Sequence, residues 1–207
     1  MPSNAAVTNG PRDRLLHLLA RYAYAFDANR GFQLSSGERS SEYIDCKSAL
    51  SFAEGLSAAS ALLLPLLESD VTAVGGLTMG ADPIAIGLSM YAHAHGRELR
   101  WFTVRKGPKQ HGLQRQIEGG LPAHSRVAIL DDVVTTGTST IEAIEKCNSA
   151  GHVVVQALAL VDREQGGLES VQRILGSEVP VQSIFTKSEI HHAWQVLHPS
   201  AGSPATA

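Results

Sequence analysis

The sequence predicts an α/β protein with a central parallel sheet and helices on both of its faces. Three observations carry that prediction. From residue 71 onward, short apolar runs alternate with amphipathic segments of helical period, and this rhythm builds a parallel sheet covered on both sides. The 207 residues are 43% hydrophobic and 18% charged, the composition of a folded globular chain of one ordinary domain. No internal repeat or low-complexity linker divides the chain, so one unit over 11–197 is expected, with small, polar, flexible ends at 1–10 and 198–207.

PRDRLLHLLARYAYAF (11–26) has apolar residues at 15, 16, 18, 19, 22, 23 and 26, a helical stripe for core or subunit packing. GFQLSSGERSSEYIDCK (31–47) holds two short extended runs around a Ser/Gly-rich turn and reads as a hairpin-like unit. SFAEGLSAASALLLPLLES (51–69) reads as a largely apolar helix opened by a serine cap. The alternating part then runs as strand VTAVGG, helix ADPIAIGLSMYAHAHG, strand ELRWFTV and a polar stretch. It continues through strand RVAILDD, helix TSTIEAIEKCNSAG, strand HVVVQALALVD and helix GGLESVQRILG, and ends in strand VPVQSIF and a short helix around SEIHHAWQVL. Trp101 and Phe102 read as strand core, and Met79 and Met90 as apolar filler.

Several functions are disfavoured by composition. A formal net charge of −3 gives no general affinity for nucleic acid, so any basic site must be local. The longest apolar run, ASALLLPLL (59–67), is broken by Pro65 and is too short to span a membrane. MPSNAAVTNGPRDR lacks the apolar centre of a secretory signal. A cytoplasmic protein is therefore expected, with two reduced thiols, Cys46 and Cys147. His93 with His95, and His191 with His192, do not have the i, i+4 spacing that sets two metal ligands on one helix face.

In parallel sheets of this kind, ligands bind beyond the carboxyl ends of the strands, where the strand order switches. Four strand ends carry residues capable of chemistry: GGLTMGADP (75–83), RKGPKQHG (105–112), DDVVTTGTS (131–139) and VDRE (161–164). In the third, a glycine within a Thr/Ser-rich turn lets successive backbone N–H groups point into one concavity. A helix starting near Thr138 adds its dipole, and Thr135, Thr136, Thr138 and Ser139 add hydroxyls, so the turn suits a monophosphate. It is neither a triphosphate-binding nor a dinucleotide-binding glycine motif. Asp131 and Asp132 repel each other at the strand end, and suit hydroxyl groups, a magnesium shell or developing positive charge.

The order apolar run, Asp-Asp, VVTTGTS resembles the phosphoribosyl-diphosphate signature of the type I phosphoribosyltransferases. That resemblance implies their fold, a central parallel sheet flanked by helices, with a small N-terminal hood mainly over 11–50. It also implies that Asp131 and Asp132 sit by the ribose hydroxyls and that Thr135, Thr136, Gly137, Thr138 and Ser139 hold the 5′-phosphate.

RKGPKQHG is similar to the mobile catalytic loop of the orotate phosphoribosyltransferases. By that resemblance Arg105, Lys109 and His111 are catalytic and Lys106 binds substrate, with the loop reaching into the site of a second subunit. LSSGERSSEYIDCK (34–47) resembles the hood of the same family, which implies that Tyr43 and Ile44 lie over the base and that Ser35 is at the substrate. Arg163 would meet the orotate carboxylate, and Thr135 another edge of the base. GGLTMGADP would be the pyrophosphate loop. In two places the chain departs from the enterobacterial form: Ser35 and Gly80 stand where that form has lysine.

The family implies transfer of a phosphoribosyl group from 5-phosphoribosyl 1-diphosphate to orotate by a homodimer, in pyrimidine and UMP biosynthesis. It implies Mg2+ held mainly by substrate oxygens, with Asp131 and Asp132 acting through water and no direct side-chain ligation. Two alternatives stay open: a phosphoribosyltransferase for a purine or uracil, and a non-catalytic nucleotide-sensing regulator of the same fold.

Overall fold

The structure, a computed structural model, describes residues 10–33, 39–107 and 116–199. Helix α1 (Pro11–Leu18) opens on a proline, which suits a first helical position because no N–H is needed there. The expected helix does not continue to residue 26. A π-helical turn spans Leu19–Ala23, and strand β1 (Tyr24–Phe26) follows. The extended form prevails because β1 finds a ladder partner further along the chain. Strands β2 (Phe32–Gln33) and β3 (Arg39–Ser40) pair antiparallel, and β4 (Glu42–Ile44) pairs antiparallel with β1.

The helix expected over 51–69 is shorter, and a further short helix that the sequence did not announce precedes it. Helix α2 (Cys46–Leu50) starts on Asp45, whose carboxylate accepts from the Lys47 N–H at 3.2 Å. Helix α3 (Ala53–Leu63) starts after Phe52, which makes no side-chain cap. Ser51 therefore caps nothing at an N-terminus; its hydroxyl donates to the Ser48 carbonyl at 2.9 Å and closes α2. The carboxylate of Asp45 takes a capping role six residues earlier than the sequence suggests.

The alternating elements follow as expected, with one added strand, β7: β5 (Ala73–Leu77), α4 (Ala81–Ala94), β6 (Arg100–Val104), β7 (Ile117–Glu118), β8 (Arg126–Val134), α5 (Thr138–Ser149), β9 (Val153–Asp162), α6 (Gly167–Leu175), β10 (Val181–Thr186) and α7 (Lys187–Leu197). The six-stranded sheet has the order β10–β9–β8–β5–β6–β7. Its pairs are parallel except β7 against β6, and β7 is too short to show a period in the sequence.

Strand β8 shows why the apolar runs are unbroken. Ala128 and Leu130 enter a core shared with Leu15, Leu63 and Leu88 of α1, α3 and α4. Val127 and Ile129 enter the opposite core, with Ile144 and Cys147 of α5 and Val171 of α6. Both faces are buried, so both alternating sets must be apolar. Cys46 lies in the first core and Cys147 in the second, both as free thiols, and the sheet between them prevents a disulfide. Strand alternation also corrects the reading of WF: Phe102 is fully buried, whereas Trp101 is 41% exposed. Met79 and Met90 are not filler, being 66% and 70% exposed. Among the described residues no helix is long and apolar enough to cross a membrane.

A polar network fastens the N-terminal unit to α7. The Tyr24 hydroxyl donates to Glu42 Oε1 at 2.6 Å and also meets His191 Nδ1 at 2.6 Å. Lys187 Nζ lies 2.8 Å from Glu42 Oε2. Burial, then the adjacent Glu42, pushes the Tyr24 phenol well above its usual range. Burial alone would raise Glu42, but hydrogen bonds from Lys187 and Tyr24 outweigh it and leave the carboxyl below its usual value. His191 is thus a packed structural histidine. Among the described residues no group of three or more His, Cys, Asp or Glu side chains could hold a metal ion.

Candidate active site

Strand order reverses between β5 and β8. From β5 the chain winds through β6 to β7, then crosses to β8 and winds the other way to β10. The crevice beyond the carboxyl ends of β5 and β8 is where such a sheet receives a ligand. Strand β8 runs to Val134, so Asp131 and Asp132 lie within it rather than past its end.

The strand places the two acids on opposite faces. Asp131 turns to α5, and its Oδ2 accepts from Ser139 Oγ at 2.9 Å and Thr140 Oγ1 at 2.7 Å. Asp132 turns to the other side: its Oδ2 is 3.2 Å from Lys47 Nζ, and its Oδ1 accepts the Val133 N–H at 3.0 Å. This is how the strand accommodates adjacent like charges. For Asp131, burial and the charge of Asp132 outweigh the hydroxyl donors and push the carboxyl up to about 6.

The turn after β8 rests on Gly137, which caps α5 with φ of 84°. A side chain there would be strained by the left-handed backbone, and its Cβ would come 2.7 Å from the Gly167 carbonyl. The turn is thereby seated against the start of α6. The first-turn amides of α5 have no intrahelical partners and carry the positive end of its dipole. The Thr136 and Thr138 hydroxyls lie 3.0 Å apart beside them. Ser139 differs from its neighbours, because its hydroxyl is directed to Asp131.

A cleft of about 810 Å³ joins segments that are distant in sequence. Tyr43 and Ile44 enter from β4, Lys106 from the end of β6, and Arg163 from the end of β9. Thr135, Thr136, Thr138 and Ser139 line its floor. Tyr43 is half-exposed rather than packed into the core, with its ring 5.7 Å from that of Phe32. Ile44 is buried.

Arg163 is 7% exposed, and its Nε is buried with no hydrogen-bond partner among the described residues. The neighbouring acids are engaged elsewhere. Asp162 accepts the Glu164 N–H at 2.9 Å, and Glu164 accepts the Ser188 N–H and hydroxyl at 2.9 and 2.5 Å. A buried guanidinium with an unused donor beside a cleft is suited to a ligand carboxylate.

The basic stretch springs from an antiparallel stem. Val104 pairs with Ile117, and the Arg105 N–H donates to the Gln116 carbonyl at 2.9 Å. The Arg105 guanidinium points to Glu118, at 3.7 Å, and does not line the cleft. Lys109, His111 and Ser35 lie outside the described residues.

Three further side chains shape the site without a sequence signal for their roles. Asp82 accepts from Thr78 Oγ1 and Thr103 Oγ1, both at 2.7 Å, and so staples the 78–82 loop to β6. Lys146 of α5 donates to the Arg105 and Lys106 carbonyls at 2.7 and 3.3 Å, and holds the stem of the basic stretch. Lys47 lies 2.8 Å from Asp45 and 3.2 Å from Asp132. Burial would lower its pKa, but hydrogen bonding to Asp45 and the charge of Asp132 raise it well above the usual lysine value.

No family model matches the chain. An orotate phosphoribosyltransferase from Nostoc sp. is 40% identical over 187 residues, covering 90% of this chain and 88% of the relative. The solved orotate phosphoribosyltransferase of Mycobacterium tuberculosis in complex with Fe(III) dicitrate matches with a TM-score of 0.74 and 31% identity, over 87% of this chain and 98% of that one. The same enzyme in complex with 5-phospho-α-D-ribosyl 1-diphosphate matches with a TM-score of 0.67 and 26% identity, over 87% and 91%. With its strand order, its acid pair and a relative so similar over nearly its whole length, the chain belongs to the orotate phosphoribosyltransferases.

Proposed function

We infer that the cleft carries out the reaction of this family: transfer of the phosphoribosyl group from 5-phosphoribosyl 1-diphosphate to orotate. The products are orotidine 5′-monophosphate and pyrophosphate, in pyrimidine biosynthesis. One observation carries the choice of acceptor. Arg163 is buried at the cleft with an unpaired Nε, and orotate brings the planar carboxylate that a guanidinium binds with two parallel hydrogen bonds.

The cleft lining and the family resemblance support the remaining assignments. The 135–139 turn holds the 5′-phosphate on the α5 N-terminus, with Thr135 also serving the base. Tyr43 covers the planar ring and Ile44 backs it; the family resemblance adds Ser35, which lies outside the described residues. Asp131 and Asp132 serve the ribose, where positive charge develops as the bond to pyrophosphate breaks. Lys106 faces the leaving pyrophosphate, joined by Arg105, Lys109 and His111 when the basic stretch closes. No side-chain nucleophile is required. Hard carboxylate oxygens suit Mg2+ through water, so Asp131 and Asp132 fit that ion together with substrate oxygens. Bound Mg2+ would offset charge on the diphosphate.

The reaction is tested by measuring pyrophosphate release with orotate, uracil, hypoxanthine and adenine in parallel, with and without Mg2+. Release with orotate and Mg2+ alone is expected, and release confined to a purine would overturn the assignment. We further propose a cytoplasmic homodimer whose basic stretch completes the partner's site. Exposed Ile86 and Met90, four residues apart on α4, support such an apolar contact. Mixing Lys109→Ala with Asp132→Asn subunits is expected to restore activity through hybrid dimers that hold one intact site. No recovery after verified subunit exchange would refute sharing.

A further inference from the structure

We propose that Lys47 is a positioning residue for the sugar-diphosphate donor: it holds Asp132 in place and supplies the positive charge that the 78–82 loop lacks. This rests on the functional reading above and goes beyond it. In the sequence Lys47 is merely the last residue of the hood motif.

The need for such a residue is visible at Gly80. A Cβ built there would lie 2.4 Å from Asp132 Oδ1 and 3.1 Å from its Cγ, so Asp132 occupies the space in which any side chain at position 80 would begin. The loop cannot carry a lysine at this point while the acid stays where it is. Its own charged residue, Asp82, is negative and is held by Thr78 and Thr103. The corner between β5 and β8 therefore contains Asp131, Asp132 and Asp82, yet it must admit an anionic donor.

Lys47 reaches this corner from α2. Its ammonium bridges Asp45 at 2.8 Å and Asp132 at 3.2 Å, joining the hood to the strand that bears the acid pair. The Asp132 side chain is 11% exposed and that of Lys47 is 43% exposed, so the acid is enclosed while the cation still meets incoming solute. Helix formation does not account for a lysine here, because α2 has only 5 residues and its dipole gives little preference for a cation at its second position. The ion pair fixes the Asp132 carboxylate while leaving ammonium protons available.

The test compares Lys47→Met and Lys47→Arg with the wild-type enzyme, using orotate turnover and calorimetric titration of Mg2+ with 5-phosphoribosyl 1-diphosphate. Lys47→Met is expected to raise the donor KM and Kd roughly tenfold to a hundredfold, the range set by losing one charge-assisted contact. The orotate KM should stay near wild type, and Lys47→Arg should recover most of the donor affinity. A thermal melt confirms that both variants fold. An unchanged donor KM and Kd in folded Lys47→Met, or equal rises in both KM values, would overturn the inference alone. A wild-type protein that bound no donor would overturn the functional reading, and the inference with it.

Discussion

Replacing Arg163 with methionine is expected to lower kcat/KM for orotate by roughly three orders of magnitude, the size associated with losing one partner of a buried, hydrogen-bonded charge pair. The donor KM should change little, because Arg163 enters the cleft past the end of β9, whereas the acid pair lies on β8. Protein stability should hold or rise: the Arg163 Nε has no partner among the described residues, and methionine removes a buried polar group while keeping the long apolar stem. Lysine at the same place keeps the charge but loses the planar fork, so Arg163→Lys should still lose most of the orotate specificity. Steady-state kinetics with orotate and uracil, together with thermal melts, separate these effects. The signature is collapse of the preference for orotate over uracil without loss of fold. A variant that retained this preference would place the carboxylate elsewhere.

The sequence makes the sheet legible because β5, β6, β8, β9 and β10 are short apolar runs with helices between them, and burial on both faces demands such runs. Its N-terminal part is harder to read. The stripe through residue 26 keeps a helical period, yet Tyr24 is drawn into a strand by residues 42–44, and pairing at that distance has no local signal. The same division applies to the site. The 131–139 segment is local, so its acids, glycine and hydroxyls can be read together. Ser139 is the exception in detail, since its hydroxyl binds Asp131. Lys47 meets Asp132 across 85 positions, and Lys146 meets Arg105 across 41. No spacing announces contacts of that kind; they exist because the fold brings a hood, a strand end and a helix together. Asp82 shows the converse. As an acid in a loop expected to receive pyrophosphate it looks unfavourable, but two threonine hydroxyls take up both carboxylate oxygens.

Asp131→Asn is expected to abolish most activity and to stabilise the protein at neutral pH. Burial holds the Asp131 carboxyl at about 6, against a usual 3.8. Because this value is raised, the folded chain keeps a proton that the unfolded chain has lost, and stability falls as pH rises from about 4 to about 6. Above that window the full penalty remains. It amounts to about 3 kcal/mol at 1.36 kcal/mol per pKa unit. Asparagine keeps an oxygen for Ser139 and Thr140 and carries no charge, but its amide nitrogen cannot accept the Asp132 N–H that now meets Oδ1 at 3.0 Å, so only part of the penalty disappears and a gain of roughly 1 kcal/mol is expected at pH 7.5. Urea unfolding at pH 4.5 and 7.5 should show wild-type stability declining between the two while the variant changes less. Parallel kinetics should show kcat reduced by roughly two to three orders of magnitude, as expected when charge opposite a cationic transition state is removed. The opposite pattern, a variant less stable at pH 7.5 and a wild type indifferent to pH, would mean that the hydroxyl donors of α5 outweigh burial. On the reading proposed above, the gain in stability and the loss of turnover have one source: a charge kept out of water by the fold and set to face the ribose as it becomes positive.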